Sequence, residues 1–284
     1  MPMPMPMPKR WLRSILALPL LAGAAVQAET PLERGNYLLK FIVACGVCHT
    51  PQGAEGPLPG MALAGGLVLD APPFTAISAN ITPDLDTGIG RWTDAQLVTA
   101  IREGRRPDGR LIGPPMPFAL YRQMSDTDVA AIVVALRAVP AVRHVVGKSE
   151  YRMALPSAWG PPLGAVADVP RADPVAYGRY LAGPLGHCVT CHTPMNPEGG
   201  QDFEHRLGAG GMVFPGPWGT SIAANLTPRG LARYADAELK VLISTGVRPD
   251  GSRLKPPMAV PYYGQMTDAD LGALVAYLRS LPSK

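Results

Sequence analysis

The sequence predicts a mainly α fold, small, helical and loop-rich, built twice in tandem. Three observations carry this expectation. Arg34-Gly35-Asn36-Tyr37-Leu38 leads into Cys45-Gly46-Val47-Cys48-His49-Thr50-Pro51, and 143 positions later Tyr177-Gly178-Arg179-Tyr180-Leu181 leads into Cys188-Val189-Thr190-Cys191-His192-Thr193-Pro194. Apolar residues recur at helical spacing in a later segment of each half, whereas no segment alternates convincingly for a sheet. Pro 33 and Gly 31 among 284 residues is about twice the usual share, so helices are short and loops many. A repeat of this length is a duplicated domain, since stacked-repeat units run roughly 20–50 residues.

The elements follow in chain order. Lys9, Arg10 and Arg13 form a basic start, Ser14 to Val26 an apolar stretch, and Val26-Gln27-Ala28 a small-residue end. This pattern predicts a secretory signal peptide at 1–28, cleaved after Ala28, with export to the periplasm. The apolar run is short for a membrane anchor, which takes roughly 20 residues. Without residues 1–28 the charge balance falls from +4 to +1. With charged residues at 17%, this excludes a broad basic face for nucleic acid.

The first domain is expected over 30–146. Its first helix runs up to and through Cys45–His49. Its second covers Asp94–Glu103, with Thr93 as N-cap, Gln96 completing a capping box and Gly104 as stop. Its third covers Asp126–Ala138, where Val129, Ile132, Val133 and Leu136 fall on one face. A Pro- and Gly-rich strap at 147–169 follows, with Tyr151, Leu155 and Trp159 able to pack. The second domain, 170–284, repeats the plan with Asp236–Thr245, stopped by Gly246, and a last helix carrying Leu271, Leu274, Val275 and Leu278.

Two Cys-x-x-Cys-His motifs carry the chemistry. Thiols three positions apart share one side of a helical turn, and the next His follows at once. This is the attachment signature of c-type haem. Cys45, Cys48, Cys188 and Cys191 are expected to bind two haems covalently, with His49 and His192 as proximal iron ligands. The competing readings are a Cys₄ zinc site and two disulfides. Zinc knuckles normally lie about 15–20 residues apart, far closer than these motifs.

The distal ligand decides function. An open iron face binds peroxide or oxygen, and a filled one mainly passes electrons. Met is a usual distal ligand where haem carries electrons. Two Met pairs are matched by the repeat. Met124 and Met266 directly precede helix N-caps, the place of a hydrophobic staple. Met116 and Met258 lie in Pro-stiffened loops, 67 and 66 residues after their His, and are the expected axial ligands. His144, His187 and His205 have no repeat partner and read as surface or hydrogen-bonding residues. Asn80/Asn225, Thr82/Thr227, Arg91/Arg233 and Trp92/Tyr234 are candidates for haem carboxylates, with capping and packing as equal alternatives.

Asn80-Ile81-Thr82-Pro83-Asp84, Gly88-Ile89-Gly90-Arg91-Trp92-Thr93-Asp94, Pro107-Asp108-Gly109-Arg110 and Met116-Pro117 resemble the di-haem class I-type cytochromes c that serve bacterial periplasmic alcohol- and gluconate-type dehydrogenases. The resemblance implies two tandem class I cytochrome c domains and an electron carrier, not itself an enzyme. It implies a periplasmic or membrane dehydrogenase as donor, a cytochrome or terminal oxidase as acceptor, and peripheral membrane association. The alternative is a di-haem peroxidase, which carries two such motifs but needs one open iron face. The matched Met loops favour the carrier.

Overall fold

The computed structural model describes residues 1–3, 5 and 28–284. The basic and apolar parts of the expected signal peptide lie outside the described residues. Among the described residues no helix is long and apolar enough to cross a membrane.

Six helices frame the molecule in two sets of three. In the first half these are α1 (Pro31–Tyr37), α2 (Asp94–Glu103) and α3 (Asp126–Ala138). In the second half they are α4 (Pro174–Tyr180), α5 (Asp236–Thr245) and α6 (Asp268–Ser280). Local chemistry sets their ends. Thr30 with Glu33, and Thr93 with Gln96, form reciprocal capping boxes. Ser125, Asp173 and Thr267 accept backbone N–H groups at the starts of α3, α4 and α6. Gly104 and Gly246 stop α2 and α5 in the left-handed region, at φ 62° and 69°.

In each half the first helix crosses the third at a glycine. A Cβ at Gly35 would collide with the Ala131 carbonyl, and one at Gly178 with the Ala273 carbonyl. The glycines let two backbones meet, which closes each three-helix set. Gly178→Ala is therefore expected to destabilise the protein by about 1–3 kcal/mol, as overpacking does. Urea unfolding measures this, and an unchanged midpoint would contradict the crossing geometry. Arginines finish the closure. Arg137 on α3 donates to Asp94 at 3.0 Å and to the Ile89 and Trp92 carbonyls. Arg279 on α6 repeats the bonds to Asp236, Leu231 and Tyr234.

Two expectations need correction. The first helix does not run through the motif. It widens into a π turn at Leu38–Ile42 and breaks at Ala44 before a short turn, Gly46–His49. The second half does the same at Leu181–Leu185 and His187. Small antiparallel strands also exist: β1 (Val68–Ala71), β2 (Phe74–Ile77), β3 (Glu150–Tyr151), β4 (Val213–Gly216) and β5 (Gly219–Ile222). They pair as β1-β2-β3 and β4-β5. Strands of two to four residues carry too few inward positions to show an alternating pattern.

The halves share a core. The larger cluster joins Leu38, Leu39, Ile42 and Ile132 of the first half to Tyr177, Tyr180, Leu181 and Leu185 of the second. Polar contacts cross the same junction reciprocally. Tyr37 Oη donates to Asp270 at 2.7 Å and accepts from Thr267 N at 3.0 Å. Its repeat counterpart Tyr180 donates to Asp128 at 2.9 Å and accepts from Ser125 N at 2.9 Å. Each tyrosine reaches the start of the other half's third helix, so the repeats are related across the junction by an approximate two-fold.

Candidate functional site

The two motif turns are built alike. Ala44 (φ 52°) and His187 (φ 40°) precede them in left-handed backbone. Such a conformation at a non-glycine costs of order 1–3 kcal/mol and concentrates at functional sites. It turns the chain sharply out of the π turn and into the Cys-x-x-Cys-His segment.

Each motif His is oriented by the backbone. The His49 Nδ1–H donates to the Ala79 carbonyl at 2.8 Å, and the His192 Nδ1–H donates to the Ala224 carbonyl at 2.8 Å. Glycines bring those carbonyls near. Gly65 N donates to His49 O, and a Cβ on Gly65 would strike Ala79. Gly210 does the same between His192 and Ala224. Burial lowers both imidazole pKa values, and the accepting carbonyl opposes that only partly. A neutral ring with Nδ1 protonated leaves the Nε2 lone pair for a metal.

The four cysteines are free. Burial pushes the Cys45 and Cys188 thiols up to about 12, and raises those of Cys48 and Cys191. The Cys48 sulfur adds to the rise at Cys191. Tyrosines fill the space around them. Tyr121 meets His187 edge-on, with ring centroids 6.1 Å apart. Tyr263 Oη donates to the Gly186 carbonyl at 3.2 Å. The Tyr262 ring lies against Gly46. Among the described residues no three His, Cys, Asp or Glu side chains are placed to share a metal ion. Neither the Cys₄ zinc set nor the disulfides weighed from the sequence are formed.

Met116 and Met258 are half-buried, each in a loop that begins with a Pro-Pro pair. The chain re-enters helix directly after each, at Phe118–Tyr121 and Val260–Tyr263. Met116 packs on the same core cluster as Cys45. Met124 is wholly buried beside Val129 in that cluster, where a staple residue belongs.

The other candidates divide. Asn80 Oδ1 accepts from Thr82 N and Oγ1, and its Nδ2 donates to the Val142 carbonyl at 2.8 Å. Asn225 repeats this with Thr227 and the Lys284 carbonyl. These residues brace loops and have spent their donors. Arg91 lies on the surface with Asp86, and Arg233 stacks on Tyr234 at 4.9 Å. His144 Nδ1 bonds the Ala64 carbonyl, and His205 is exposed beside Asp202. Arg106 Nε and Trp218 Nε1 are buried N–H groups without a hydrogen-bond partner, Arg106 Nε lying 3.9 Å from Asp108. Arg106 has Arg248 as its counterpart in the repeat, a signal that could have marked it, whereas Trp218 has none. Tyr121 and Tyr263 were legible as a matched pair, though not as neighbours of the motifs.

The donor set fits c-type haem. Paired thiols flank a proximal imidazole with Nε2 free, a thioether stands on a stiff loop in each half, and unpartnered N–H donors suit haem carboxylates.

Comparison with known proteins agrees. A family profile described as cytochrome c matches residues 176–282. A diheme cytochrome c-type protein of Cereibacter sphaeroides is 31% identical over 97% of this chain and 99% of its own length. The fructose dehydrogenase cytochrome subunit of Gluconobacter japonicus is 32% identical over 93% of this chain and 58% of its own. A nicotinate dehydrogenase subunit of Pseudomonas putida is 33% identical over 91% of this chain and 22% of its own. The chain thus spans about a fifth to three fifths of the length of these two dehydrogenase subunits.

Proposed function

The chain belongs to the cytochrome c family, and from that premise we propose that it is a periplasmic two-haem electron carrier. Cys45 and Cys48 hold one haem between His49 and Met116, in a domain over 30–146. Cys188 and Cys191 hold the other between His192 and Met258, in a domain over 170–284. Bound there, haem supplies a one-electron couple at iron, with a potential that a Met ligand raises.

The chain's part is to hold, shield and bring close. The Ala79 and Ala224 carbonyls fix the imidazoles, and the Pro-rich loops present the thioethers. The packing of Tyr121 beside His187 and of Tyr262 against Gly46, each reaching from one half to the motif of the other, is the observation that carries this reading. Electron tunnelling falls steeply with distance, and this junction packs the segments that lead into the two motifs against one another. Two of the relatives are named as dehydrogenase subunits, which supports a periplasmic or membrane dehydrogenase as donor. A downstream cytochrome or oxidase is the corresponding acceptor.

Purified from a host that attaches haem, the protein is expected to carry two haems by mass and no alkylatable thiol. After a one-electron pulse, the charge should redistribute between the sites at a rate independent of protein concentration. A rate proportional to concentration would show that the halves exchange electrons only by collision.

A further inference from the structure

The two Met loops match in sequence and differ in what holds them. In the first half the connecting segment lies across the loop. Trp159 Nε1 donates to the Ile112 carbonyl at 2.9 Å. Its ring stacks on Phe118, with centroids 5.7 Å apart and planes at 25°. Tyr151, anchored in β3 opposite Phe74, lies where a Cβ on Gly113 would go. Arg105 reaches the Ser157 carbonyl at 3.0 Å and Arg122 the Pro161 carbonyl, which fasten the segment on either side of Trp159. Ile112, Gly113 and Phe118 bracket Met116, so the loop is tied before and after its thioether.

Among the described residues the second half lacks this cover. Lys255 stands where Gly113 does and is exposed, and Val260 replaces Phe118 and is only half-buried. A Cβ on Gly104 would meet Trp159 and Phe118 first, whereas one on the matching Gly246 would meet Val260 first. The side-chain bond that holds this loop is Ser221 Oγ donating to the Pro256 carbonyl at 2.5 Å.

We propose that Tyr151 and Trp159 are positioning residues for the Met116 thioether, which lock the first ligand loop and leave the Met258 loop to yield first to an external ligand. The inference rests on Met116 and Met258 as iron ligands. Freeing a thioether requires its loop to swing away. In the first half that motion must also break the Trp159 bond and unstack Phe118, and groups that brace a ligand in this way govern how readily it leaves.

The test is an imidazole titration of the oxidised holoprotein, read by the thioether-to-iron charge-transfer band. Two steps of equal amplitude are expected, with midpoints at least tenfold apart. Met258→Ala should remove the low-concentration step and Met116→Ala the high one. Tyr151→Ala with Trp159→Ala should lower the upper midpoint at least fivefold and leave the lower one in place. Gly113→Ala, which displaces the Tyr151 ring, should shift it the same way. Trp159→Phe keeps the stack and loses one bond, so it gives a smaller shift and serves if the double variant fails to fold. Midpoints that stay put, or move together, in Trp159→Phe and Gly113→Ala overturn the proposal. A Met116→Ala protein with the full band overturns the ligand assignment, and this proposal with it.

Discussion

Met116→Ala is expected to lower one of the two haem potentials by some tenths of a volt and to open that iron to CO. Axial ligands command a span of roughly 0.8 V, and Met lies toward its upper end. The thioether stabilises the reduced iron relative to the oxidised iron, so its loss favours oxidation. Alanine leaves water or nothing in its place. Met258→Ala should do the same to the other couple and leave the first within its original range. Spectroelectrochemical titration reads both. Two unshifted couples in both variants would remove Met116 and Met258 from the ligand set and reopen the choice between carrier and enzyme.

Asp128→Ala is expected to cost about 3–5 kcal/mol of stability, the range for stripping one partner from a buried ion pair. Arg34 donates to both Asp128 oxygens, at 2.7 and 2.9 Å, and both side chains are under a tenth exposed. Without the carboxylate the guanidinium keeps one further bond, to Tyr177 Oη at 3.3 Å. Tyr180 Oη would also lose its acceptor across the junction. Asp270 is the internal control. It takes the matching tyrosine bond from Tyr37, but Tyr177 stands where Arg34 does in the first half. Asp270→Ala should therefore cost only about 1.5–3 kcal/mol, the worth of a hydrogen bond to a charged group. Urea unfolding of the two variants decides it. Equal losses would mean that the Arg34 pair contributes no more than the junction bond.

Much of this was written locally. The bounds of α2, α3 and α5 followed from Thr93 with Gln96, from the spacing of Val129 to Leu136, and from the stops at Gly104 and Gly246, because caps and periodicity act within a few residues. The motifs and the Met loops were legible because Cys-x-x-Cys-His and Pro-Pro-Met recur at matched positions in the two halves. What escaped depends on distant partners. Nothing near Ala44 or His187 announces left-handed backbone, which the turn into each motif imposes. Asn80 and Thr82 read equally as carboxylate donors and as braces until the Val142 carbonyl was found to occupy Asn80. The tyrosine junction and the Trp159 clamp join segments tens of residues apart or more, and no pattern along the chain records such pairings.

With His49 and Met116 at one iron and His192 and Met258 at the other, both would be closed and would pass charge without acting on a substrate. Mixing the fully reduced, intact protein with CO at neutral pH tests it most directly. Far less than one CO is expected to bind per chain, rising to one in Met116→Ala. One full equivalent bound rapidly by the unsubstituted protein would mean that an iron face stands open, and the carrier assignment would give way to a peroxidase-type enzyme.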